Sequence, residues 1–201
     1  MLRVQLHILD EKQDPLFDVE VPANIPIVEL DRLVSSALGW DADPNGQAQR
    51  HMVRTLLPDR LLHSRESLAD AQVWDGATLQ LVTMLAAYLV TPSGMQIALL
   101  HNPVLIGRGA DVTALHPDET IDLSGEANGG TVSRQHVRLS YARGQWQLSH
   151  LSRTNQTRVN DQLIESDVRM ALRSGDRIEI GGVELHFHLG YPPPGAARPA
   201  L

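Results

Sequence analysis

The sequence contains no cysteine, so disulfide bonds make no contribution to its stability, which fits a reducing compartment. Aromatic residues are scarce, with 3 Trp, 3 Tyr and 2 Phe, so the cores must consist mainly of Leu, Val and Ile. The longest apolar run, Met84 to Val90, is far shorter than the roughly 20 residues of a membrane-spanning helix. The alternating N-terminal residues also lack the apolar core of a signal peptide. These absences predict a soluble, cytoplasmic protein without membrane insertion.

Lysine is nearly absent as well, since Lys12 is the only one. The net charge is −7 and is unevenly distributed along the chain. Residues 1–87 carry 7 basic and 13 acidic residues, whereas residues 88–201 carry 10 and 11. Recognition of nucleic acid requires a basic surface, so this balance argues against nucleic acid as a partner.

Residues 1–83 have the pattern of an α+β domain. Hydrophobic residues alternate over 2–8 and 17–21, on either side of a polar segment at 11–15, which predicts a β-hairpin. Helical spacing over 27–38, ended by Gly39, predicts a helix. Further strands are predicted at 53–57, 61–62 and 78–82, with one helical turn at 67–70. This order of elements is that of a β-grasp.

The segment Val19 to Leu38, with Val-Pro-x-x-Ile-Pro-Ile-x-Glu-Leu, resembles the ubiquitin-like domains found with bacterial type VII secretion systems. The run from Leu68 to Leu79, with Leu-Ala-Asp-Ala-x-Val-x-Asp-Gly-x-x-Leu, strengthens the resemblance. It implies a second protein-interaction module at residues 1–83. The apolar segment 83–87 is predicted to be a short linker that restricts movement between two docked domains.

Residues 88–189 contain many short predicted strands separated by turns, including Gly181-Gly182, which is typical of a β-sandwich. The Pro-rich segment 190–201 is predicted to be a disordered tail. Between residues 105 and 160, polar clusters follow the predicted strands. Arginine provides a planar fork for phosphate oxygens, and hydroxyl groups add short charge-assisted hydrogen bonds, so the clusters together suit a phosphate ester. They are Ile106–Arg108, Ser133–His136, Ser152–Thr157 and Val159–Asn160.

In this order, and with Leu-x-x-Gly-Asp-x-Ile-x-Ile-Gly from Leu172 to Gly181, the clusters resemble the forkhead-associated (FHA) family. That family is a β-sandwich that binds phosphothreonine peptides. The resemblance implies that Arg108 binds the phosphate, with help from the hydroxyl groups of Ser133 and Thr154. Asn155 would hydrogen-bond the peptide main chain, and Arg134 would line the path of the peptide.

Four further positions have roles implied by the same resemblance. Thr131 would help to read the third residue after the phosphothreonine. Gly107, His136 and Asn160 would support the site structurally, with His136 buried and hydrogen-bonded to the loops. A hydrolytic pair of Ser133 with His136 is disfavoured, because no third group is placed to orient the base. The protein is therefore expected to be a non-catalytic signalling adaptor without cofactor or metal, with a threonine-phosphorylated protein as partner.

Two departures from the family leave an alternative open. Gln156 replaces the glycine that usually follows the asparagine, and a non-glycine residue is strained if that position requires a positive φ. The insertion 109–120 could cover the site, and its acidic residues Asp111, Asp118 and Glu119 could repel a phosphopeptide. The alternative is thus a structural assembly module with a degenerate phosphate site. A metal site at His186, His188 and Glu184 is disfavoured, because ligands on alternate positions of one strand do not close a site.

Overall fold

The computed structural model describes residues 1–8, 16–109, 119–166 and 168–193. The predicted turn at 11–15, the acidic residues Asp111 and Asp118, and the predicted tail beyond residue 193 lie outside these ranges. The chain forms two compact units, Met1–Met84 and Leu85–Leu201. Within the described ranges, no helix is both long enough and apolar enough to cross a membrane.

The first unit is a β-grasp, as the sequence predicts. Its elements are β1 (Leu2–Ile8), β2 (Leu16–Val21), α1 (Ile27–Leu38), β3 (Gln49–Leu56), β4 (Asp59–Leu61) and β5 (Ala77–Leu85), of which the last residue, Leu85, already belongs to the second unit. The sheet has the order β2-β1-β5-β3-β4. Strand β1 pairs antiparallel with β2 and parallel with β5, so the hairpin and the last strand meet at the centre of the sheet.

Helix α1 has the predicted bounds and packs one apolar face into the core. Ile27 and Leu30 are buried among sheet residues, whereas Leu33, which also fits the helical spacing, is 56% exposed. Gly39 ends the helix at φ 70°, a left-handed conformation that glycine adopts without a steric penalty. The amphipathic pattern therefore places the helix correctly, although its apolar face is narrower than the hydrophobic residues suggest.

A polar cluster connects the helix to β3 inside this core. Asp31, Ser35 and His51 are each at most 4% exposed. The Asp31 Oδ1 accepts hydrogen bonds from the Ser35 hydroxyl at 2.9 Å and from the His51 main-chain N–H at 3.0 Å. Its distance to the His51 Nδ1 is 3.1 Å. The carboxylate is thereby compensated by several donors, as a buried charge requires.

The second unit is a β-sandwich of two sheets. Its strands are β6 (Ala87–Val90), β7 (Gln96–Ala98), β8 (Val104–Gly107), β9 (Thr120–Asp122), β10 (Val137–Ala142), β11 (Gln145–His150), β12 (Thr157–Val159), β13 (Gln162–Leu163), β14 (Arg169–Ala171), β15 (Arg177–Ile180) and β16 (Val183–Leu189). One sheet has the order β14-β11-β10-β8-β9, and the other β13-β12-β15-β16-β6-β7. Their inner faces bury Trp146 and Phe187, and the Trp146 indole N–H donates to the Leu85 carbonyl at 2.9 Å.

The structure corrects the sequence prediction in three places. Strand β5 extends to Leu85, so Thr83–Leu85 are strand residues and not a linker. Strands β13 and β14 were not predicted, because both are edge strands in which no residue is buried, so they carry no hydrophobic pattern. Residues 67–70 form a turn instead of a helix, in which Ser67 and Asp70 cap each other's main-chain N–H groups.

Candidate phosphate-binding site

Two hydroxyl groups from different loops meet at one end of the sandwich. Ser133 lies on the loop before β10, and Thr154 lies on the loop between β11 and β12. The Ser133 Oγ and Thr154 Oγ1 are 3.3 Å apart. The first loop leads into Val137 at the start of β10, and the second leaves His150 at the end of β11. These two residues face each other in the antiparallel pair of β10 and β11. The sheet thus brings together residues that are 21 positions apart in the sequence.

Arg108 follows β8, the other neighbour of β10, and is held beside Ser133 through its own backbone. Its main-chain N–H donates to the Ser133 carbonyl at 3.0 Å, and its Nε donates to the Val132 carbonyl at 2.9 Å. The residue is exposed, and neither terminal guanidinium nitrogen has a partner among the described residues. The Nε bond therefore orients the guanidinium fork, and no described residue occupies its outer N–H groups, which have the geometry to bind an anion.

Gly107 permits the close approach of these two loops. A Cβ at this position would lie 1.9 Å from the Arg134 carbonyl oxygen and 3.1 Å from that of Ser133. Since a contact of 1.9 Å with a backbone atom is sterically impossible, any larger residue at position 107 must separate β8 from the loop that contains Ser133. This glycine thus fixes the distance between Arg108 and the hydroxyl pair.

His136 is fully buried beneath the site and connects three segments. Its ring Nδ1 accepts the Ser133 main-chain N–H at 3.0 Å, and its Nε2 lies 3.2 Å from the Gln156 carbonyl. The ring is therefore the neutral tautomer with the proton on Nε2. Burial lowers the pKa of His136 below its usual value, and the hydrogen bond to Gln156 opposes this only in part.

Ser152 is a component of the site that the sequence analysis did not single out. It is 5% exposed, and its Oγ lies 2.7 Å from the Ser133 Oγ. The same oxygen accepts the main-chain N–H groups of Thr154 at 3.2 Å and Asn155 at 3.0 Å. The sequence signal for this role is a serine that precedes Thr154 by two residues and Asn155 by three, since serine side chains commonly cap main-chain N–H groups at these spacings.

Three more polar side chains surround the hydroxyl pair. Arg134 and Arg153 are the sequence neighbours of Ser133 and Thr154, and both are exposed. Neither has a side-chain partner among the described residues. The Asn155 Nδ2 donates to the Ser133 Oγ over 3.4 Å, which is long for a hydrogen bond and therefore weak.

Of the remaining predicted residues, Thr131 is the last residue of a 3-10 helix, Gly129–Thr131, and Asn160 lies in the turn between β12 and β13. The Thr131 hydroxyl donates to the Asn128 carbonyl at 2.7 Å and accepts the Gly182 N–H at 2.8 Å. Asn160, at φ 49°, donates from its amide to Asp176 at 2.7 Å and accepts the Arg177 N–H at 3.0 Å. These bonds join the hairpins that frame the loops.

Gln156 has no backbone strain, since it lies outside the left-handed region that favours glycine. Its carbonyl accepts the Gly181 N–H at 3.0 Å in addition to facing the His136 ring. The replacement of the usual glycine therefore leaves this loop in an ordinary conformation.

The ends of the long insertion are anchored at the sheet. The Asp122 Oδ1 accepts the N–H groups of Gly109 at 2.7 Å and Ser124 at 2.8 Å. Although partial burial raises the pKa of Asp122, these bonds outweigh it, so the pKa is lowered. Glu119 lies 3.6 Å from the His101 ring, which is buried. The Asp122 carboxylate thus holds Gly109, at the start of the insertion, close to the end of β9.

The three residues considered for a metal do not act together. The Glu184 carboxylate contacts both the His186 ring at 3.2 Å and the Arg177 guanidinium at 3.2 Å. The His188 ring stacks on Tyr88, with ring centroids 5.1 Å apart.

Comparison with known families agrees with both units. Residues 104–181 match the model of the FHA domain. Residues 2–81 match the model of protein YukD of the WXG100 protein secretion system (Wss). Residues 104–181 therefore belong to an FHA domain, and residues 2–81 belong to a ubiquitin-like domain of the YukD type.

Solved FHA domain structures resemble the second unit. The N-terminal FHA domain of Rad53p from S. cerevisiae, in complex with a phosphothreonine peptide, is 18% identical, with a TM-score of 0.41, covering 53% of this chain and 94% of that chain. Mycobacterium tuberculosis EmbR, in complex with a phosphopeptide, is 25% identical, with a TM-score of 0.43, covering 55% of this chain and 26% of that one. The FhaA FHA domain, complexed with an intracellular domain, is 27% identical, with a TM-score of 0.38, covering 51% and 99%. No curated protein sequence matches the chain.

Proposed function

We propose that this protein is a non-catalytic adaptor whose FHA domain binds threonine-phosphorylated proteins. The observation that supports this most directly is the 3.3 Å approach of the Ser133 and Thr154 hydroxyl groups beside the exposed Arg108. A phosphothreonine carries about −1.5 to −2 charge near neutral pH and has three acceptor oxygens. One oriented guanidinium and two hydroxyl groups supply the donors that such a group needs.

The peptide itself would be held by the residues around this phosphate site. Asn155 would exchange its weak bond to Ser133 for the peptide main chain, and Arg134 would line the peptide path. Thr131 would contribute at the third residue after the phosphothreonine through its methyl group, since its hydroxyl is already engaged in two hydrogen bonds.

Two features favour binding over a degenerate site or an enzyme. Gln156 imposes no left-handed strain on the loop, which removes one reason to expect a distorted site. Ser133 contacts His136 through its main-chain N–H, so no described residue serves its hydroxyl as the base that a nucleophile requires. Ligand binding without catalysis therefore accounts for the arrangement.

The ubiquitin-like unit would contact a second protein. Its match to protein YukD supports a role in type VII secretion. Ser/Thr kinase signalling would supply the phosphorylated ligand of the FHA domain. The two units together would connect a phosphorylated protein to this second partner.

Isothermal titration calorimetry with one peptide sequence in three forms tests the proposal. We expect the phosphothreonine peptide to bind, the unphosphorylated peptide to be silent, and the phosphoserine peptide to bind more weakly. A panel of flanking sequences is needed, because the peptide preference is open. Equal affinity for phosphorylated and unphosphorylated peptides, or binding of the cellular partner that phosphatase leaves unchanged, would favour the structural assembly module instead.

A further inference from the structure

We infer that Ser152 is a positioning residue that aims the hydroxyl proton of Ser133 at the phosphate. This inference rests on the proposed phosphothreonine function and assigns a role to a residue that never contacts the ligand itself. Ser152 is buried, whereas Ser133 is half-buried and Thr154 is exposed. It thus lies behind the hydroxyl pair, on the side away from solvent.

The direction of the hydrogen bond between the two serines follows from counting donors and acceptors. A serine hydroxyl has one proton and two acceptor lone pairs. The Ser152 oxygen accepts the main-chain N–H groups of Thr154 and Asn155 at 3.2 and 3.0 Å, which occupy both lone pairs. Its own proton must therefore be donated along its remaining contact, the 2.7 Å approach to the Ser133 Oγ.

The same count then determines what Ser133 does with its proton. The Ser133 Oγ accepts from Ser152 and, more weakly, from the Asn155 Nδ2 at 3.4 Å. Its remaining neighbour is the Thr154 Oγ1, 3.3 Å away, which is long for a hydrogen bond between hydroxyl groups. The Ser133 proton therefore faces the side of Thr154, where it is only loosely held.

A phosphate oxygen placed there would take this proton in a shorter, charge-assisted bond of about 2.5–2.7 Å. Ser152 thus prevents Ser133 from turning its proton inward, and it also polarises the hydroxyl as a chain of hydrogen bonds does. Without the Ser152 hydroxyl, Ser133 would be free to rotate, and the main-chain amides of Thr154 and Asn155 would lose their acceptor.

A double-mutant cycle between Ser152→Ala and Ser133→Ala tests this coupling, with phosphothreonine-peptide affinity measured by calorimetry on the full chain. We expect Ser152→Ala to weaken binding about tenfold, or about 1.4 kcal/mol. In the Ser133→Ala background the same change is expected to cost less than threefold, because the group through which Ser152 acts is gone. Equal costs in both backgrounds would overturn the inference and leave Ser152 as a structural residue only.

Ser174→Ala is the matched control, because the Ser174 hydroxyl also accepts a main-chain N–H, from Leu189 at 3.0 Å, at another turn of the same unit. Its phosphopeptide affinity is expected to stay within twofold of the wild type. Should Ser152→Ala fail to fold, NMR of the wild-type protein decides the question: the Ser152 hydroxyl proton is expected to exchange slowly and to show an NOE to the Ser133 β-protons. Exchange as fast as that of an exposed serine would overturn the inference.

The failure of the inference differs from the failure of the proposed function. If the wild-type chain binds the phosphothreonine peptide and the cycle shows no coupling, only the role of Ser152 is lost. If the wild-type chain binds none of the phosphothreonine peptides that the panel offers, the proposed function and the inference built on it are both rejected.

Discussion

Replacement of Arg108 separates the contribution of the guanidinium fork from that of positive charge alone. The 2.9 Å bond from its Nε to the Val132 carbonyl orients the side chain, and the two terminal nitrogens have no partner among the described residues. Hydrogen bonds to charged groups contribute about 1.5–3 kcal/mol each, and exposure to water reduces this. Arg108→Ala is therefore expected to weaken phosphothreonine-peptide binding by about 2–3 kcal/mol, or about 30- to 150-fold.

Arg108→Lys refines the prediction. Lysine keeps the charge but lacks both the planar fork and the Nε that bonds to Val132. It should recover only part of the affinity, with about a tenfold loss relative to the wild type, or about 1.4 kcal/mol. If charge alone mattered, the lysine variant would bind like the wild type.

The assay is calorimetry at two salt concentrations, with Arg173→Ala as the control, since Arg173 is also exposed but lies in the turn before β15. The control should retain wild-type affinity at both concentrations. Binding by Arg108→Ala within twofold of the wild type would refute the reasoning, because the site would then hold its ligand without the guanidinium.

Three further predictions concern stability and pH. Gly107→Ala should destabilise the FHA unit by about 3 kcal/mol or more in denaturant unfolding, because the new Cβ would lie 1.9 Å from a backbone oxygen. The control is Gly109→Ala, which should cost about 1 kcal/mol, because position 109 has open space but a φ of 51°. Equal losses of stability in the two variants would contradict the prediction. Burial lowers the pKa of His136 in the folded state below the unfolded value of about 6.5. Between these two pKa values the unfolded state therefore binds more protons than the folded state. The contribution of His136 to stability should thus be constant above about pH 6.5 and decrease as the pH falls from there through the folded pKa. An NMR titration in which the His136 ring protonates at or above the usual pKa would show this to be wrong. Asp31→Ala should destabilise the ubiquitin-like unit by about 2–3 kcal/mol, because the buried His51 N–H loses its acceptor, and a loss below about 0.5 kcal/mol in denaturant unfolding would contradict it.

Both folds could be predicted from the sequence, because their signals are local and repeated. Hydrophobic residues alternate over β1 and β2, which predicts two strands, and helical spacing followed by a glycine predicts α1. The order of these elements indicates a β-grasp. The boundary between the units was less accessible. A short apolar segment fits a strand as well as a linker, so the extent of β5 to Leu85 was evident only in the structure.

The chemical composition of the candidate site was also evident in the sequence, as arginine, hydroxyl and amide groups at the ends of strands. Which of these groups act together was decided by the tertiary structure. Ser133 and Thr154 meet only because β10 pairs with β11, and Arg108 joins them only because Gly107 lets a neighbouring loop approach. The role inferred for Ser152 depends on its burial and on its hydrogen bonds, which only the structure provides. In the sequence, a serine that caps a turn and a serine that positions another side chain look the same. Residue types and local periods are properties of the chain itself, whereas distances between side chains on separate loops exist only once the sheets have formed.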